Sequence, residues 1–166
     1  IFDRTSNISN HIDKNISNDS IIKSYPKNLN ELIDIIERVE FGIFVDSGPL
    51  HVAKINNIRG LLIVTSVGGR NLLNDFSSIE IIDNNYYSAF CKAPCGLTNI
   101  FNFDNKIGCY ETLKLSKDKI ITLERFNSLQ RGQIKNSYIN FIDNPVGCQK
   151  HINVHDILNK ISMKLQ

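Results

Sequence analysis

Two short apolar runs, at residues 41–45 and 60–65, constrain the fold of this chain more than any other feature. Both show little polar alternation, which is typical of strands in a parallel sheet that is covered on both faces. The residues between them predict a turn and a helix from Pro49 to about residue 57, which is the crossover that parallel strands require. With a third run at residues 79–82, the pattern predicts an α/β fold, a Rossmann-like parallel sheet flanked by helices.

A helix is predicted immediately before the first strand. Residues 28–39 carry apolar side chains at helical spacing, and Asn28 with Glu31 three positions later resembles a capping box. Two further helices are predicted nearer the C-terminus, over residues 116–129 and from a cap at Asn153 to about Met163. The other segments are interpreted as a strand tail at residues 1–2, a connector at residues 21–26, a loop at residues 66–74 and an irregular region at residues 86–110.

The composition is that of a globular protein. The 166 residues suffice for one domain with a core, and a net charge of +2 is too small to indicate a nucleic-acid partner. No apolar run is long enough to cross a membrane. The sparse cysteines and the lack of a signal core predict a cytoplasmic location. A start at Ile1 rather than Met suggests a piece of a longer protein.

The most informative junction follows the first strand, where the sequence reads Asp46-Ser47-Gly48-Pro49-Leu50-His51. Gly permits a tight turn and close approach of a ligand to the backbone, and Pro is tolerated in the first turn of a helix. A helix N-terminus presents N–H groups and the positive end of its dipole, which suits a phosphate. The loop Gly68-Gly69-Arg70 is expected at the same edge of the sheet, because ligands of parallel sheets bind outside the carboxyl ends of the strands.

This junction resembles the donor-site motif of glycosyltransferase family 9, the ADP-heptose:lipopolysaccharide heptosyltransferases. The family carries Asp, Thr or Ser, Gly, two further residues and His, and here Asp46, Ser47, Gly48 and His51 match. The resemblance covers roughly residues 21–129 and implies the C-terminal, nucleotide-sugar domain of a GT-B glycosyltransferase. It leaves residues 130–166 as a cysteine-containing extension of the same single domain.

The resemblance also implies roles for individual residues. Asp46 would hydrogen-bond the donor sugar, Ser47, Gly48 and the helix start at Pro49 and Leu50 would receive the diphosphate, and His51 would lie beside it. The activity would be transfer of a heptose-like sugar from a nucleotide diphosphate to a lipopolysaccharide or other glycan or lipid-linked acceptor. No cofactor is implied beyond an ADP-heptose-like donor, and the location would be cytoplasmic, peripheral to the inner membrane.

This chain departs from the family pattern in two respects. The loop after the second strand reads Ser66-Val67-Gly68-Gly69-Arg70 in place of the family's Gly-Pro-Thr or Gly-x-Thr. The family's catalytic base belongs to an N-terminal acceptor domain, for which this chain has no room. The catalytic residue is therefore left unassigned, and this chain is expected to supply the donor site.

Each of these features also has a purely structural interpretation. Asp46 and Ser47 could form an ordinary strand-end turn with a helix cap, and Gly68-Gly69 a flexible loop beside a surface Arg70. His151 and His155 are four residues apart and are interpreted as surface residues, since no third metal ligand accompanies them.

The four cysteines, Cys91, Cys95, Cys109 and Cys148, leave three alternatives open. They could hold a structural zinc ion through four thiolates, form a disulfide, or remain unlinked. The spacing of Cys91 and Cys95 suits zinc, whereas the longer later intervals favour unlinked thiols. The alternative to a glycosyltransferase is accordingly a non-catalytic Rossmann-like module for binding or assembly, including a zinc-stabilised one.

Overall fold

The core of the molecule is a parallel three-stranded sheet. The structure is a computed structural model that describes residues 14, 21–74, 78–97, 101–103, 106–115 and 144–165. The strands β1 (Phe41–Phe44), β2 (Arg59–Ile63) and β3 (Ile79–Ile82) are parallel and lie in the order β1-β2-β3. The predicted parallel α/β organisation is therefore confirmed for this part of the chain.

Short helices and one hairpin complete the described part of the chain. The helices are α1 (Leu29–Ile36), α2 (Gly48–Ile55), α3 (Gly69–Leu73), α4 (Tyr110–Leu113) and α5 (Val154–Lys164). The strands β4 (Phe101–Phe103) and β5 (Lys106–Gly108) pair antiparallel. Within the described ranges, no helix has the length and apolar character needed to cross a membrane.

One face of the sheet carries the main hydrophobic core. Phe44, Leu62 and Ile81 are neighbours across the three strands, so their side chains point to the same face. Helices α1, α2 and α3 pack there, and the buried members of this cluster are Ile36, Phe44, Leu50, Val52, Ala53, Leu62, Val64, Leu72, Leu73 and Ile79. The loop-to-helix segments that follow β1 and β2 are fixed in place by this packing.

The opposite face of the sheet is covered only in part. Glu80 on β3 pairs there with Lys160 and Lys164 of α5, and Leu61 on β2 is completely buried. Ile43 on β1, in register with Leu61, remains 53% exposed. The expectation that the first strand is covered on both faces is therefore wrong for the described residues, because α5 pairs with Glu80 on β3 whereas Ile43 on β1 stays exposed.

Several predicted boundaries need correction. Helix α1 ends at Ile36 rather than Val39, because the N–H groups of Arg38 and Val39 bond three residues back, to Ile35 and Ile36, in a tight turn. The strands β1 and β2 end at Phe44 and Ile63, short of the predicted residues 45 and 65.

Two predicted irregular regions contain regular structure. The predicted loop at residues 66–74 includes α3, which is held by packing of Leu72 and Leu73 in the core. The predicted irregular region at residues 86–110 includes the β4–β5 hairpin, which backbone pairing stabilises. The connector at residues 21–26 has no helix or strand, as predicted, whereas the predicted strand tail at residues 1–2 and helix at residues 116–129 lie outside the described residues.

The predicted helix caps of α1 and α5 are confirmed. The side chain of Asn28 accepts a hydrogen bond from the Glu31 N–H at 3.0 Å. The Glu31 carboxylate accepts one from the N–H of Lys27, one residue before the expected partner. Asn153 caps α5 by accepting from the N–H groups of His155 and Asp156.

Candidate functional site

The carboxyl ends of the three parallel strands bring the candidate residues to one edge of the sheet. Val45 and Asp46 follow β1, the chain then turns at Ser47, and α2 begins at Gly48. At the same edge, β2 leads to Gly68 at the start of α3 and β3 leads to Asp83. This edge is where ligands of parallel α/β sheets bind.

The first turn of α2 lacks a side-chain cap. Ser47 is the N-cap residue, in an extended conformation with φ −164° and ψ 164°, but its side chain makes no hydrogen bond to the helix. Its hydroxyl donates instead to the carbonyl of Val45 at 3.0 Å. The predicted helix start is correct to within one residue, since Gly48 precedes Pro49 in the helix. Helix α2 therefore differs from α1 and α5, whose N-cap side chains bond to the first turn.

The side chains of the candidate motif divide into exposed and buried ones. Asp46 and His51 are exposed, Ser47 and Pro49 are half-buried, and Leu50 is completely buried in the main core. The N–H of Leu50 bonds to the carbonyl of Ser47 at 3.1 Å. Leu50 therefore anchors the turn, and a ligand would meet Asp46, His51 and the backbone at Gly48.

Among the described residues, Gly48 has no neighbour that would exclude a larger side chain. A Cβ atom built there would meet nothing within 4 Å. At Gly60, by contrast, a Cβ would lie 2.3 Å from the carbonyl oxygen of Gly42. Packing explains glycine at position 60, whereas no packing contact in the described part of the chain requires glycine at position 48.

The second glycine loop serves packing as well as access. A Cβ at Gly69 would lie 2.6 Å from Cγ2 of Ile81, so this glycine lets α3 pack closely on β3. A Cβ at Gly68 would make only ordinary contacts, the nearest with Cγ of Pro94 at 3.5 Å. Arg70 is exposed in the first turn of α3. The interpretation of Gly68-Gly69 as a flexible loop is wrong for Gly69, which belongs to the helix.

An open apolar groove adjoins the candidate motif. It has a volume of about 300 Å³ and is lined by Ser47 and Pro49 together with the end of α1 and strand β1. Its apolar wall consists of Ile36, Val39, Ile43, Phe44 and Val45. The groove follows the outer side of β1 and ends at the turn into α2.

A larger polar cavity lies at the same edge, between β2, β3 and the start of α5. Its volume is about 550 Å³, within the range of small-ligand sites. Asp83, Asn84 and Asn85 line it from the end of β3, and Lys150 and Asp156 from around the start of α5. None of these five residues was predicted as a site residue from the sequence. The run of polar residues directly after an apolar strand could have indicated Asp83 to Asn85.

The two C-terminal histidines are exposed, as predicted. His151 lines the polar cavity, and its ring centroid lies 6.0 Å from that of Tyr86. The ring Nδ1 of His155 lies 3.1 Å from the amide nitrogen of Asn159 within α5. His155 therefore has a local role on the helix surface.

The four cysteines are free, half-buried and close enough to influence one another. Burial, together with the neighbouring thiols of Cys95, Cys148 and Cys109, raises the pKa of Cys91 to about 12. Burial also raises the pKa of Cys148, with contributions from Cys109 and Cys95. Raised thiol pKa values disfavour a role for Cys91 or Cys148 as a nucleophile at neutral pH. Among the described residues, no three His, Cys, Asp or Glu side chains already stand in a metal-binding arrangement.

Comparisons of the chain with protein-family models, with curated protein sequences and with solved structures found no match.

Proposed function

We propose that this chain is the donor-binding part of a glycosyltransferase similar to family 9. It would bind a nucleotide-linked, heptose-like sugar for transfer to a lipopolysaccharide or another glycan acceptor. The observation that carries the proposal is the uncapped start of α2, which lies at the carboxyl edge of the sheet with bare Gly48 between exposed Asp46 and His51.

The diphosphate of the donor is the group that this turn suits best. The N-terminus of α2 offers its dipole, and Gly48 admits a phosphate close to the backbone. Pro49 has no N–H to leave unpaired and keeps the first turn in its helical conformation. When the sugar is transferred, negative charge grows on the departing diphosphate, and the helix dipole stabilises that charge.

Asp46 and His51 complete the proposed donor site. The exposed Asp46 carboxylate accepts hydrogen bonds from sugar hydroxyl groups. His51 is exposed in the first turn of α2, where its ring can donate to a phosphate oxygen. We assign the base that deprotonates the acceptor to a separate acceptor domain, as in a GT-B enzyme. The proposed location is the cytoplasmic side of the inner membrane, where a lipid-linked acceptor is accessible.

Thermal denaturation in the presence of ADP-heptose tests the proposal. A ligand at 100 times its Kd stabilises the folded state by about 2.7 kcal/mol. For a domain of this size, that corresponds to a rise in Tm of roughly 5–10 °C. We expect Asp46→Ala to abolish most of this rise and to leave the Tm without ligand nearly unchanged, because the side chain is exposed.

Asp34→Ala is the matched control, since Asp34 is an exposed aspartate on α1, away from the turn into α2. It should keep the full ligand-induced rise. A wild-type Tm that does not respond to millimolar ADP-heptose, or to other nucleotide sugars, would count against the proposal.

One observation favours the alternative of a non-catalytic assembly module. Ile43 on β1 and Val45 directly after it are 53% and 52% exposed, beside the apolar groove. If assembly is the main role, the wild type should form concentration-dependent oligomers in sedimentation velocity, and Ile43→Asp should remove them without any response to nucleotide sugars. A monomer stabilised by ADP-heptose would exclude this alternative.

A further inference from the structure

The four cysteines come from three segments of the chain that the fold ties together. Cys91 and Cys95 lie in the loop after β3, Cys109 immediately precedes α4, and Cys148 lies in the turn before α5. The first and last of them are 57 positions apart in sequence (91 to 148). Tertiary structure, rather than local spacing, therefore has to bring them together.

The first link joins the Cys91 loop to α4. The hydroxyl of Ser88 donates to the carboxylate of Glu111 and accepts from the backbone N–H of Cys91 at 3.0 Å. The backbone N–H of Ser88 donates in turn to the carbonyl of Cys91 at 2.7 Å. Glu111 is almost completely buried. The loop that carries Cys91 is thus held against the helix that follows Cys109.

The second link joins the Cys148 turn to the same region. The buried side chain of Asn84 donates to the carbonyl of Cys148 at 2.7 Å. Gly147 packs so closely on Glu111 that a Cβ at position 147 would lie 3.1 Å from its Cγ. The turn before α5 therefore lies against both the end of β3 and the start of α4.

The surroundings of the thiols are those of a small closed site. Cys91 and Cys95 pack with Leu97 and Leu113 around buried Tyr110 and Leu115. Cys109 donates its N–H to the hydroxyl of Thr112 at 2.6 Å, which fixes the backbone at the start of α4. All four thiols are half-buried, and two of them, Cys91 and Cys95, border this apolar cluster.

From this convergence we propose that Cys91, Cys95, Cys109 and Cys148 together bind one structural Zn²⁺ ion as a tetrathiolate site. Four sulfur ligands and no open position are the composition of a structural zinc site. Binding replaces each S–H bond by a Zn–S bond and releases four protons, with no change of oxidation state. The divalent ion also offsets the mutual repulsion of the four thiolates.

The thiols do not stand in ligating positions as the side chains are oriented in this structure. Completion of the tetrahedron therefore requires rotation of the cysteine side chains, while the hydrogen bonds made by the side chains of Ser88, Glu111 and Asn84 already hold the segments. The site accounts for the convergence of three separate chain segments on this region, and it is independent of the proposed donor site.

The test uses the full chain purified without chelator. We expect about one zinc ion per chain by inductively coupled plasma mass spectrometry. Replacement by Co²⁺ should give the visible bands of tetrahedral cobalt and a thiolate-to-cobalt charge-transfer band. These wild-type measurements do not depend on whether any variant folds.

Single substitutions test which side chains bind the metal ion. Cys148→Ser should lower the metal content at least fivefold. The control is His155→Ala, which removes an exposed imidazole from α5 that is not part of the proposed site, and it should leave the metal content unchanged. Asp46→Ala should also keep the metal, which separates this proposal from the donor site. Less than about a tenth of a metal ion per chain, an absent charge-transfer band, or disulfides in the native protein would overturn the proposal.

Discussion

At the scale of single residues, Gly48 is the position at which structure and proposed function are most directly connected. Gly48→Ala should fold normally and gain up to about 0.5 kcal/mol, because a Cβ there meets nothing in the described part of the chain and alanine reduces the entropy of the unfolded chain. The same methyl group should obstruct the diphosphate. We expect the affinity for ADP-heptose, measured by isothermal titration calorimetry, to fall at least tenfold.

Gly60→Ala is the control, because position 60 has no room for a Cβ. Its Cβ would lie 2.3 Å from the carbonyl oxygen of Gly42 on the neighbouring strand, so the sheet must distort. The expected cost is roughly 2–4 kcal/mol in urea denaturation. If Gly48→Ala destabilises the protein as much as Gly60→Ala, glycine at position 48 serves the fold rather than a ligand.

Glu111 should make folding sensitive to acid. Burial favours its neutral form, but hydrogen bonds from Lys114, Ser88 and Tyr86 outweigh this and hold the pKa of Glu111 below its ordinary value of 4.5. A carboxyl group whose pKa is lowered in the folded state contributes its full stability above the pKa of the unfolded chain. That contribution is lost as the pH falls through the lower, folded-state value.

We therefore expect Glu111→Gln to cost roughly 1–3 kcal/mol at pH 7, as judged from hydrogen bonds to charged groups. The difference from wild type should shrink as the pH falls below about 4. Urea denaturation at a series of pH values measures this difference in the free energy of unfolding. A difference that stays constant down to pH about 2 would show that the cost comes from packing rather than from the charge.

The sequence indicated some of these residues and not others, for a physical reason. Asn28 and Asn153 were predictable as caps because a cap and its partners lie within one helical turn. Asn84 and Glu111 were not, since their partners Cys148 and Ser88 are remote in sequence. Their roles depend on tertiary contacts that no local pattern encodes.

At the scale of secondary-structure elements, the N-termini of α5 and α2 differ in their side-chain caps. Asn153→Ala removes hydrogen bonds to the N–H groups of His155 and Asp156 and should cost about 1 kcal/mol. Ser47→Ala removes only a bond to the carbonyl of Val45 and should cost well under that. Urea denaturation of both variants makes the comparison.

The same two substitutions should affect ligand binding in the opposite order. In the proposed donor site, Ser47 lies beside the diphosphate, so Ser47→Ala should weaken ADP-heptose binding while Asn153→Ala leaves it unchanged. A Ser47→Ala variant that loses as much stability as Asn153→Ala would mean that Ser47 is an ordinary cap.

Elements with strong periodicity were predictable, and short ones were not. The three parallel strands follow from apolar runs, α1 from its amphipathic pattern and α5 from its cap, and β3 has the predicted bounds of residues 79–82. Helix α3 is only five residues long and begins with glycine, so neither propensity nor periodicity indicates it. The β4–β5 hairpin has three residues in each strand, too few for an alternating pattern.

At the scale of the whole molecule, the layers on the two faces of the sheet are unequal. Helices α1, α2 and α3 pack on one face, while α5 reaches the other through Glu80, whose carboxylate pairs with Lys160 and Lys164. The hydrogen bond from Lys160 is the main reason why the pKa of Glu80 lies below its ordinary value. Since these groups are about one-third exposed or more, the pairs contribute only about 1 kcal/mol or less.

Because α5 covers the second face of the sheet only in part, substitutions at two neighbouring positions on that face should lower the free energy of unfolding by different amounts. Leu61 and Ile43 are in register on adjacent strands, but Leu61 is completely buried and Ile43 is 53% exposed. Leu61→Ala should cost about 2–5 kcal/mol through lost burial and the cavity that it leaves. Ile43→Ala should cost roughly 1 kcal/mol, from partial burial and lower strand propensity.

Chemical denaturation of both variants at several protein concentrations measures this difference. Similar costs at every concentration would mean that another part of the same chain covers β1, whereas a cost for Ile43→Ala that rises with protein concentration would indicate a second copy on that face. We expect a small, concentration-independent loss of stability for Ile43→Ala and a large loss for Leu61→Ala. This result would indicate that the outer face of β1 is accessible. In the proposed enzyme, that open face and the uncapped start of α2 would both be available to an acceptor domain.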